Sequence, residues 1–234
     1  MITEAKIYLS DKRGVTQNTL YRSYHTFHFD DYHDVSREPL ESLKVLNDNT
    51  LGPGQHIVTE LKDNRLIMIL PIVGDVRYSS MLGPEKILTA GEAGFLSFPG
   101  GSMVEIKNPQ NDLINFLHIE FQVSDRCCAS AEYLHAFDLN QNKNKLITFG
   151  WCDDKSFHQV SIGKFSGRGE GKLAAERIVR GIFAFVLEGA FEVQGRLLHA
   201  RDGLALKSNS EVEFEALSND AIILFLTTRC YFTI

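Results

Sequence analysis

The chain has 234 residues, of which 44% are hydrophobic and 23% are charged, as in ordinary globular proteins with one large or two small domains. Its net charge of −6 creates no broad positive field, so nucleic acid and anionic membranes are poor partners. The first residues, MITEAKIYLSDKRG, lack the pattern of a secretion signal, and no segment has the apolar length that a bilayer requires. We therefore expect a cytoplasmic protein.

Short apolar runs separated by Gly, Pro, Asn and Asp fill the first half of the chain. Runs of this length and spacing are typical of strands in an all-β sandwich or barrel. In chain order they are LKVLN, HIVTEL, RLIMILPIVG, DVRYSS, KILTAG, AGFLSF, MVEIKN and LINFLHIEFQV.

The second half of the sequence repeats the same order of apolar runs and turn residues, which indicates two copies of one β-unit. When the halves are superimposed, three pairs coincide or nearly coincide: Gly74 with Gly189, Ala90 with Ala200, and Val104 with Val212. The polar tract from Asn140 to Lys145 reads as a solvated turn and predicts domains at residues 1–145 and 146–234. The segment GKLAAERIVRG, residues 171–181, fits a helix or a loop that enters a strand equally well.

Two motifs in the first half resemble those of the cupins. GPGQHIVTELKDNRLIMILPIVG, from Gly52 to Gly74, has the spacing of the first cupin motif, in which two histidines and a glutamate lie between glycines. PGGSMVEIKN, residues 99–108, resembles the second motif in its proline, glycine and asparagine. Together with the repeat, these motifs resemble a bicupin, in which one chain forms two cupin-type barrels.

Further segments resemble the pirin-like bicupins in particular. They are SYHTFHFDDYHD at residues 23–34, SLKVLNDNTLGPGQ, AGEAGFLSF and FDLNQNKNKLITF. In metal-binding pirin-like proteins the first barrel supplies three histidines and a glutamate, and several members resemble quercetin 2,3-dioxygenase in activity. The resemblance places the paired histidines at Glu60 and Lys62, the third histidine at Val104 and the glutamate at Ile106. All four family ligands are therefore replaced.

These replacements predict a first barrel without a metal or other cofactor. An ammonium group has no lone pair to offer a metal, and Val104 and Ile106 have no donor atom. Alternate strand residues share a face, so Glu60 and Lys62 are predicted to point inward. Either they form an ion pair in a filled barrel, or Lys62 holds a small anionic or polar ligand. By the same alternation His56 also faces this pocket.

Histidines and cysteines elsewhere offer no better site. HTFHFDDYHD contains His25, His28 and His33, but in an extended chain His25 and His28 point to opposite faces, which favours a structural role over an adventitious zinc or iron site. His118 lies alone in a predicted strand. The adjacent Cys127 and Cys128 are expected to be thiols in a reducing compartment.

The second copy is also predicted to lack metal. Counting back from Gly189 places Ala175 and Arg177 at the positions of the paired histidines. Neither side chain is a metal ligand at neutral pH.

Three functions remain open. The favoured one is a non-enzymatic pirin-like protein that binds a small molecule or a partner protein in a regulatory role. The second is a quercetin 2,3-dioxygenase-type enzyme with an unorthodox Fe, Mn, Ni or Cu site, built from Glu60, His56 and an N-terminal histidine. The third is a metal-independent enzyme in which Glu60 is a base and Lys62 stabilises an anionic intermediate.

Overall fold

The computed structural model describes residues 4–81, 83–123, 130–152, 157–174, 179–207 and 211–229. Within them the regular structure consists of β-strands and two short 3₁₀ turns, Ser10–Lys12 and Val35–Arg37, which confirms the predicted all-β class. No helix in the described ranges could cross a membrane. Cys127, Cys128 and Cys230 lie outside the described residues.

The first of two compact units contains residues 14–39 and 43–137 and is called the first barrel. Its strands are β2 (Gly14–Gln17), β3 (Tyr21–His25), β4 (Leu43–Leu51), β5 (His56–Glu60), β6 (Arg65–Val73), β7 (Val76–Ser80), β8 (Gly83–Leu88), β9 (Glu92–Phe98), β10 (Met103–Lys107), β11 (Ile114–Gln122) and β12 (Ala131–Ala136). They form a larger sheet of order β12-β9-β6-β11-β4-β3-β2 and a smaller sheet of order β5-β10-β7-β8. All eight apolar runs predicted from the sequence are strands here.

The second unit contains residues 1–13, 40–42 and 138–234 and is called the second barrel. Its strands are β1 (Ala5–Tyr8), β13 (Leu146–Cys152), β14 (Phe157–Phe165), β15 (Glu170–Ala174), β16 (Val179–Glu188), β17 (Ala190–Val193), β18 (Arg196–His199), β19 (Gly203–Lys207), β20 (Glu211–Ala216) and β21 (Ala221–Arg229). The sheets have the orders β1-β19-β16-β21-β14-β13 and β15-β20-β17-β18. The smaller sheet repeats the strand order of the first barrel, and the larger sheet does so with six strands instead of seven.

The structure shifts the boundary predicted near residue 145. The second barrel begins at residue 138 and also includes the N-terminal residues 1–13. The reason is strand β1, which pairs with β19 from Ala5 opposite Leu206 to Tyr8 opposite Gly203. In the second barrel, β1 therefore occupies the edge position that β12 occupies in the first. The undecided segment 171–181 contains the end of β15 and the start of β16, and residues 175–178 between them lie outside the described residues.

The predicted superposition of Gly74 on Gly189 is visible in the backbone. Each glycine directly follows a long strand of its barrel, β6 or β16, and precedes the next strand. Their φ angles are 75° and 77°, in the left-handed region that favours glycine. The same tight turn is therefore built twice.

An apolar core lies between the two sheets of the first barrel. It includes Ile67, Ile69, Tyr78, Phe98 and Phe116, which are at most 2% exposed. The Tyr78 hydroxyl donates to Glu132 of β12, and Lys86 of β8 contacts the same carboxylate, so Glu132 links the two sheets at their edges. Burial, followed by the contact with Glu132, raises the pKa of Tyr78 above its ordinary value.

Candidate functional site

Strand β5 turns alternate residues toward the interior of the first barrel. Ile57 and Thr59 are partly buried and lie directly opposite Ile106 and Val104 of β10, both fully buried. Directly opposed residues of an antiparallel pair lie on one face of the sheet. These four side chains therefore form the inner wall of the smaller sheet, called here the apolar wall.

The prediction that Glu60, Lys62 and His56 line the interior is wrong. His56 and Glu60 are exposed on the outer face of β5, and Lys62 is exposed in the bend beyond the strand. The cause is Leu61, which is 2% exposed and packs in the core, so that its neighbours on both sides face outward. The predicted ion pair inside the barrel is wrong for the same reason.

The larger sheet turns polar side chains toward the same interior. On β11, His118 and Glu120 lie directly opposite Ile69 and Ile67 of β6, which belong to the barrel core. Because opposed residues share a face, both polar side chains project inward. They are almost fully buried, with 2% of His118 and 5% of Glu120 exposed.

Strands β4 and β3 continue this polar surface. Asn47 lies opposite His118, and His25 lies opposite Asn47. Nδ1 of His25 is 2.9 Å from Oδ1 of Asn47, and its Nε2 is 2.9 Å from Oγ1 of Thr16. An amide oxygen only accepts, so Nδ1 of His25 donates to Asn47. We call His25, Asn47, Asn49, Arg65, His118 and Glu120 the polar wall.

Glu120 is the charged centre of the polar wall. Its Oε1 is 3.1 Å from Nε2 of His118, and its Oε2 is 3.4 Å from Nε of Arg65. Burial raises the pKa of Glu120, but the imidazole of His118 and the guanidinium of Arg65 outweigh burial and hold that pKa below its ordinary value. Nη2 of Arg65 is 3.2 Å from the exposed carboxylate of Asp63, so this guanidinium connects the interior with the rim.

Three nitrogens of the polar wall have no hydrogen-bond partner among the described residues. They are Nε2 of His118, Nη1 of Arg65 and Nδ2 of Asn49. The 3.1 Å contact between His118 and Glu120 is within ion-pair distance but is not aligned as a hydrogen bond. Leaving a buried polar group unpaired costs about 1–3 kcal/mol, so such a cluster is unusual in a purely structural core.

The N-terminal histidines do not converge on one point. His25 is hydrogen-bonded on both ring nitrogens and stacks on Phe29, with ring centroids 5.0 Å apart. The rings of His28 and His33 are 5.4 Å apart, and Nδ1 of His28 is 3.8 Å from Oε2 of Glu38. Across the described ranges, no three His, Cys, Asp or Glu residues are grouped so as to hold a metal ion.

The comparisons with known proteins agree in finding similarity to quercetinase-like and pirin-like proteins. A model of the quercetinase C-terminal cupin domain matches residues 158–226. The chain is 23% identical over 241 residues to quercetin 2,3-dioxygenase of Escherichia coli strain K12, with 94% of this chain and 97% of that protein covered. It is 22% identical to a pirin-like protein of Caulobacter vibrioides over 92% of this chain and 95% of that one. The crystal structure of the Escherichia coli bacterial pirin YhhW in complex with nickel(II) matches with a TM-score of 0.82 at 17% identity, covering 97% of this chain and all of that chain.

The chain has the fold of the pirin-like bicupins and resembles them over nearly its whole length. The resemblance inferred from the cupin motifs and the ordered N-terminal segments is thus confirmed, and so is the bicupin fold. At these identities the comparisons establish the fold, and the activity must be argued from the residues of the site.

The nickel in YhhW raises the question of whether the first barrel of this chain fits a metal. The inward positions on β5 and β10 are Ile57, Thr59, Val104 and Ile106, which are three hydrocarbons and one hydroxyl. Iron, manganese, nickel and copper require imidazole, carboxylate or thiolate ligands. The apolar wall does not fit any of these ions.

The unorthodox site considered from the sequence does not fit a metal either. His56 and Glu60 share the outer face of β5, but four residues of strand separate them by about 13 Å. One ion cannot bridge that distance. In the second barrel, Ala175 and Arg177 lie outside the described residues, and the described core contains edge-to-face contacts of Phe165 with Phe191 and Phe214.

Replacing Glu120 with glutamine tests the charge on the polar wall. The pKa of Glu120 in the folded protein lies below its ordinary 4.5, so its stabilisation is complete above that value and is lost as the pH falls through the folded pKa. Glu120→Gln should therefore be about 1–3 kcal/mol less stable than the wild type at neutral pH, and the gap should narrow below about pH 4. Urea unfolding of the variant and the wild type, at neutral pH and below about pH 4, measures this difference in unfolding free energy.

The control for this prediction is Glu60→Gln, which changes the same carboxylate on the exposed face of β5. It should leave the unfolding free energy nearly unchanged at both pH values. A gap for Glu120→Gln that is equally large at neutral and acid pH would show that the charge of Glu120 does not stabilise the fold.

Proposed function

We propose that this pirin-like bicupin works without a transition metal in its first barrel, as a non-enzymatic protein that binds a small molecule in a regulatory role. The observation that carries the proposal is the apolar wall, where Ile57, Thr59, Val104 and Ile106 face the interior. A site of this composition offers nothing to bind or activate dioxygen. The predicted cytoplasmic location and a protein partner, in place of nucleic acid or membrane, remain part of this proposal.

The dioxygenase alternative comes from the relatives. Quercetin 2,3-dioxygenase of Escherichia coli aligns with nearly the whole chain, so its activity is the natural one to test. An enzyme of that type needs a metal to organise the reaction of its substrate with dioxygen. The residues that this chain presents at the inward positions of β5 and β10 do not supply one.

The two residues on which a metal-independent enzyme would depend do not lie inside the barrel. Glu60 and Lys62 are exposed outside the barrel, where water would compete for a substrate and screen the lysine charge. A carboxylate and a cation do meet inside the first barrel, but they are Glu120 and Arg65. This pair supports binding of a polar ligand in the interior.

Dioxygen consumption in the presence of quercetin tests the proposal. After incubation with ferrous, manganous, nickel or copper ions, the protein should consume dioxygen no faster than the same metals and quercetin alone. The Escherichia coli relative, prepared in the same way, is the positive control. Saturable, quercetin-dependent consumption that scales with the amount of this protein would refute the non-enzymatic role.

A further inference from the structure

The internal repeat places residues of opposite charge at equivalent positions of the two smaller sheets. Gly74 and Gly189 occupy equivalent turns, and the third residue after each is Arg77 on β7 and Glu192 on β17. Both side chains lie on the outer face of their sheet, because the residues before and after each are buried. The repeat therefore aligns a cation of the first barrel with a carboxylate of the second.

A row of basic side chains crosses the outer face of the smaller sheet in the first barrel. Lys107 of β10 lies directly opposite both His56 of β5 and Arg77 of β7. Arg77 in turn lies opposite Ile87 of β8, which is 49% exposed. Because opposed residues share a face, the four side chains form one line across the sheet. We call His56, Lys107 and Arg77 the basic row, and Ile87 is its apolar end.

The second barrel has carboxylates in the equivalent line. Glu215 of β20 lies directly opposite both Glu170 of β15 and Glu192 of β17. Glu192 lies opposite Leu197 of β18, which is 54% exposed. We call Glu170, Glu215 and Glu192 the acidic row, and Leu197 is its apolar end. The acidic row lines an open groove of about 480 Å³ on the outer face, which has room for long basic side chains.

Neighbouring charges neutralise the two rows only in part. Nη1 of Arg77 is 3.4 Å from Oε2 of Glu85, and Nη1 of Arg168 is 3.0 Å from Oε1 of Glu215. Glu85 and Arg168 are both exposed, and exposed ion pairs are weak enough to exchange with other charges.

The other charged members of the rows have no such counter-charge. Within the described part of the chain, Lys107, Glu170 and Glu192 form no ion pair. Like charges that lie directly opposite one another destabilise a sheet. A partner with the opposite charges would relieve this repulsion in either row.

We propose that the protein associates with a second copy of itself, with the basic row of one copy against the acidic row of the next. The rows match when the two sheets face each other with their strands in the same order. The reverse order would place an apolar end against a charge at both ends of the contact. The four facing pairs are His56 with Glu170, Lys107 with Glu215, Arg77 with Glu192, and Ile87 with Leu197.

This contact joins two different surfaces, so the copies assemble head to tail. Each row crosses four strands and is about 14 Å long, which gives a contact area well below the ~800 Å² per partner of a stable complex. The association is therefore weak and reversible. It does not depend on the small-molecule binding proposed above.

Sedimentation velocity over a concentration series tests the proposal. At an ionic strength of about 0.15 M, charges more than about 8 Å apart are screened, which reduces repulsion between copies of net charge −6 and retains the direct contacts. The weight-average mass of the wild type should rise with concentration. A wild type that stays monomeric throughout the series would overturn the proposal.

Charge reversal on either face should weaken the association at least tenfold. One variant carries Lys107→Glu with Arg77→Glu, and the other carries Glu215→Lys with Glu192→Lys. The first has two acidic rows and the second has two basic rows, so neither should associate alone. An equimolar mixture should associate as the wild type does, and so should one chain with all four changes, which keeps the wild-type net charge.

The matched control is Lys6→Glu with Lys12→Glu, which changes the net charge as much as reversal of the basic row does. These lysines are exposed on β1 and the 3₁₀ turn after it, outside both smaller sheets. The control should associate like the wild type, and circular dichroism establishes that every variant is folded. Undiminished association of either face variant alone would overturn the proposal, and so would failure of both the mixture and the four-change chain to associate.

Discussion

A variant with the family's donor set at the inward positions is expected to gain a metal ion. The four changes are Ile57→His, Thr59→His, Val104→His and Ile106→Glu. Val104 faces Thr59 and Ile106 faces Ile57, and opposed residues have Cβ atoms about 4.5–5.5 Å apart, which suits ligands of one ion. Elemental mass spectrometry after incubation with nickel should find about one ion per chain, against almost none in the wild type.

The control is a second quadruple variant built on the spacing of the sequence motif. It carries Glu60→His and Lys62→His with the same changes at Val104 and Ile106. Because residues 60 and 62 face outward, it should bind far less metal at the same nickel concentration. Circular dichroism on both proteins establishes that they are folded. Stoichiometric metal in the motif-based variant alone would show that the register of β5 described above is wrong.

Alanine at Gly74 is expected to destabilise the first barrel strongly. Gly74 has a φ of 75°, and an added Cβ would lie 2.7 Å from Cγ2 of Ile114, a fully buried core residue. The left-handed backbone and the overpacking should together cost about 2–4 kcal/mol. Gly54→Ala is the matched control, because Gly54 has a φ of 68° with open space around it and should cost about 1–2 kcal/mol.

The same comparison is available in the second barrel. A Cβ on Gly189 would overlap the Ser218 side chain and lie 2.8 Å from Cβ of Ala221, whereas Gly195 has a similar φ and open space. Urea unfolding of Gly189→Ala and Gly195→Ala should reproduce the difference seen between Gly74 and Gly54. Equal losses at the crowded and the open glycines would mean that the backbone conformation alone explains these positions.

Much of the fold could be predicted because its signals are local. Apolar runs bounded by turn residues located the strands, and the matching positions of Gly74 and Gly189 revealed the repeat. The pairing of β1 with β19 carries no such signal, because it joins residues about 200 positions apart. The predicted domain boundary therefore lies too far along the chain. The prediction also assigned the N-terminal residues to the first barrel, whereas they belong to the second.

The site was harder to predict than the fold. Family spacing counted from the glycines placed Glu60 and Lys62 inside the barrel, but β5 ends at Glu60 and the buried Leu61 sets the inward face. A one-residue change of register moves every side chain to the other face of a strand. The polar wall did leave a signal, because His118 and Glu120 are two residues apart and alternate with apolar residues in the middle of β11.

Metal content per chain tests the central claim most directly. The protein is purified without an affinity tag and analysed by elemental mass spectrometry before and after incubation with ferrous, manganous and nickel ions. With Ile57, Thr59, Val104 and Ile106 on the apolar wall, occupancy is expected to stay near zero throughout. About one tightly held ion per wild-type chain would contradict the metal-free account and favour the dioxygenase alternative.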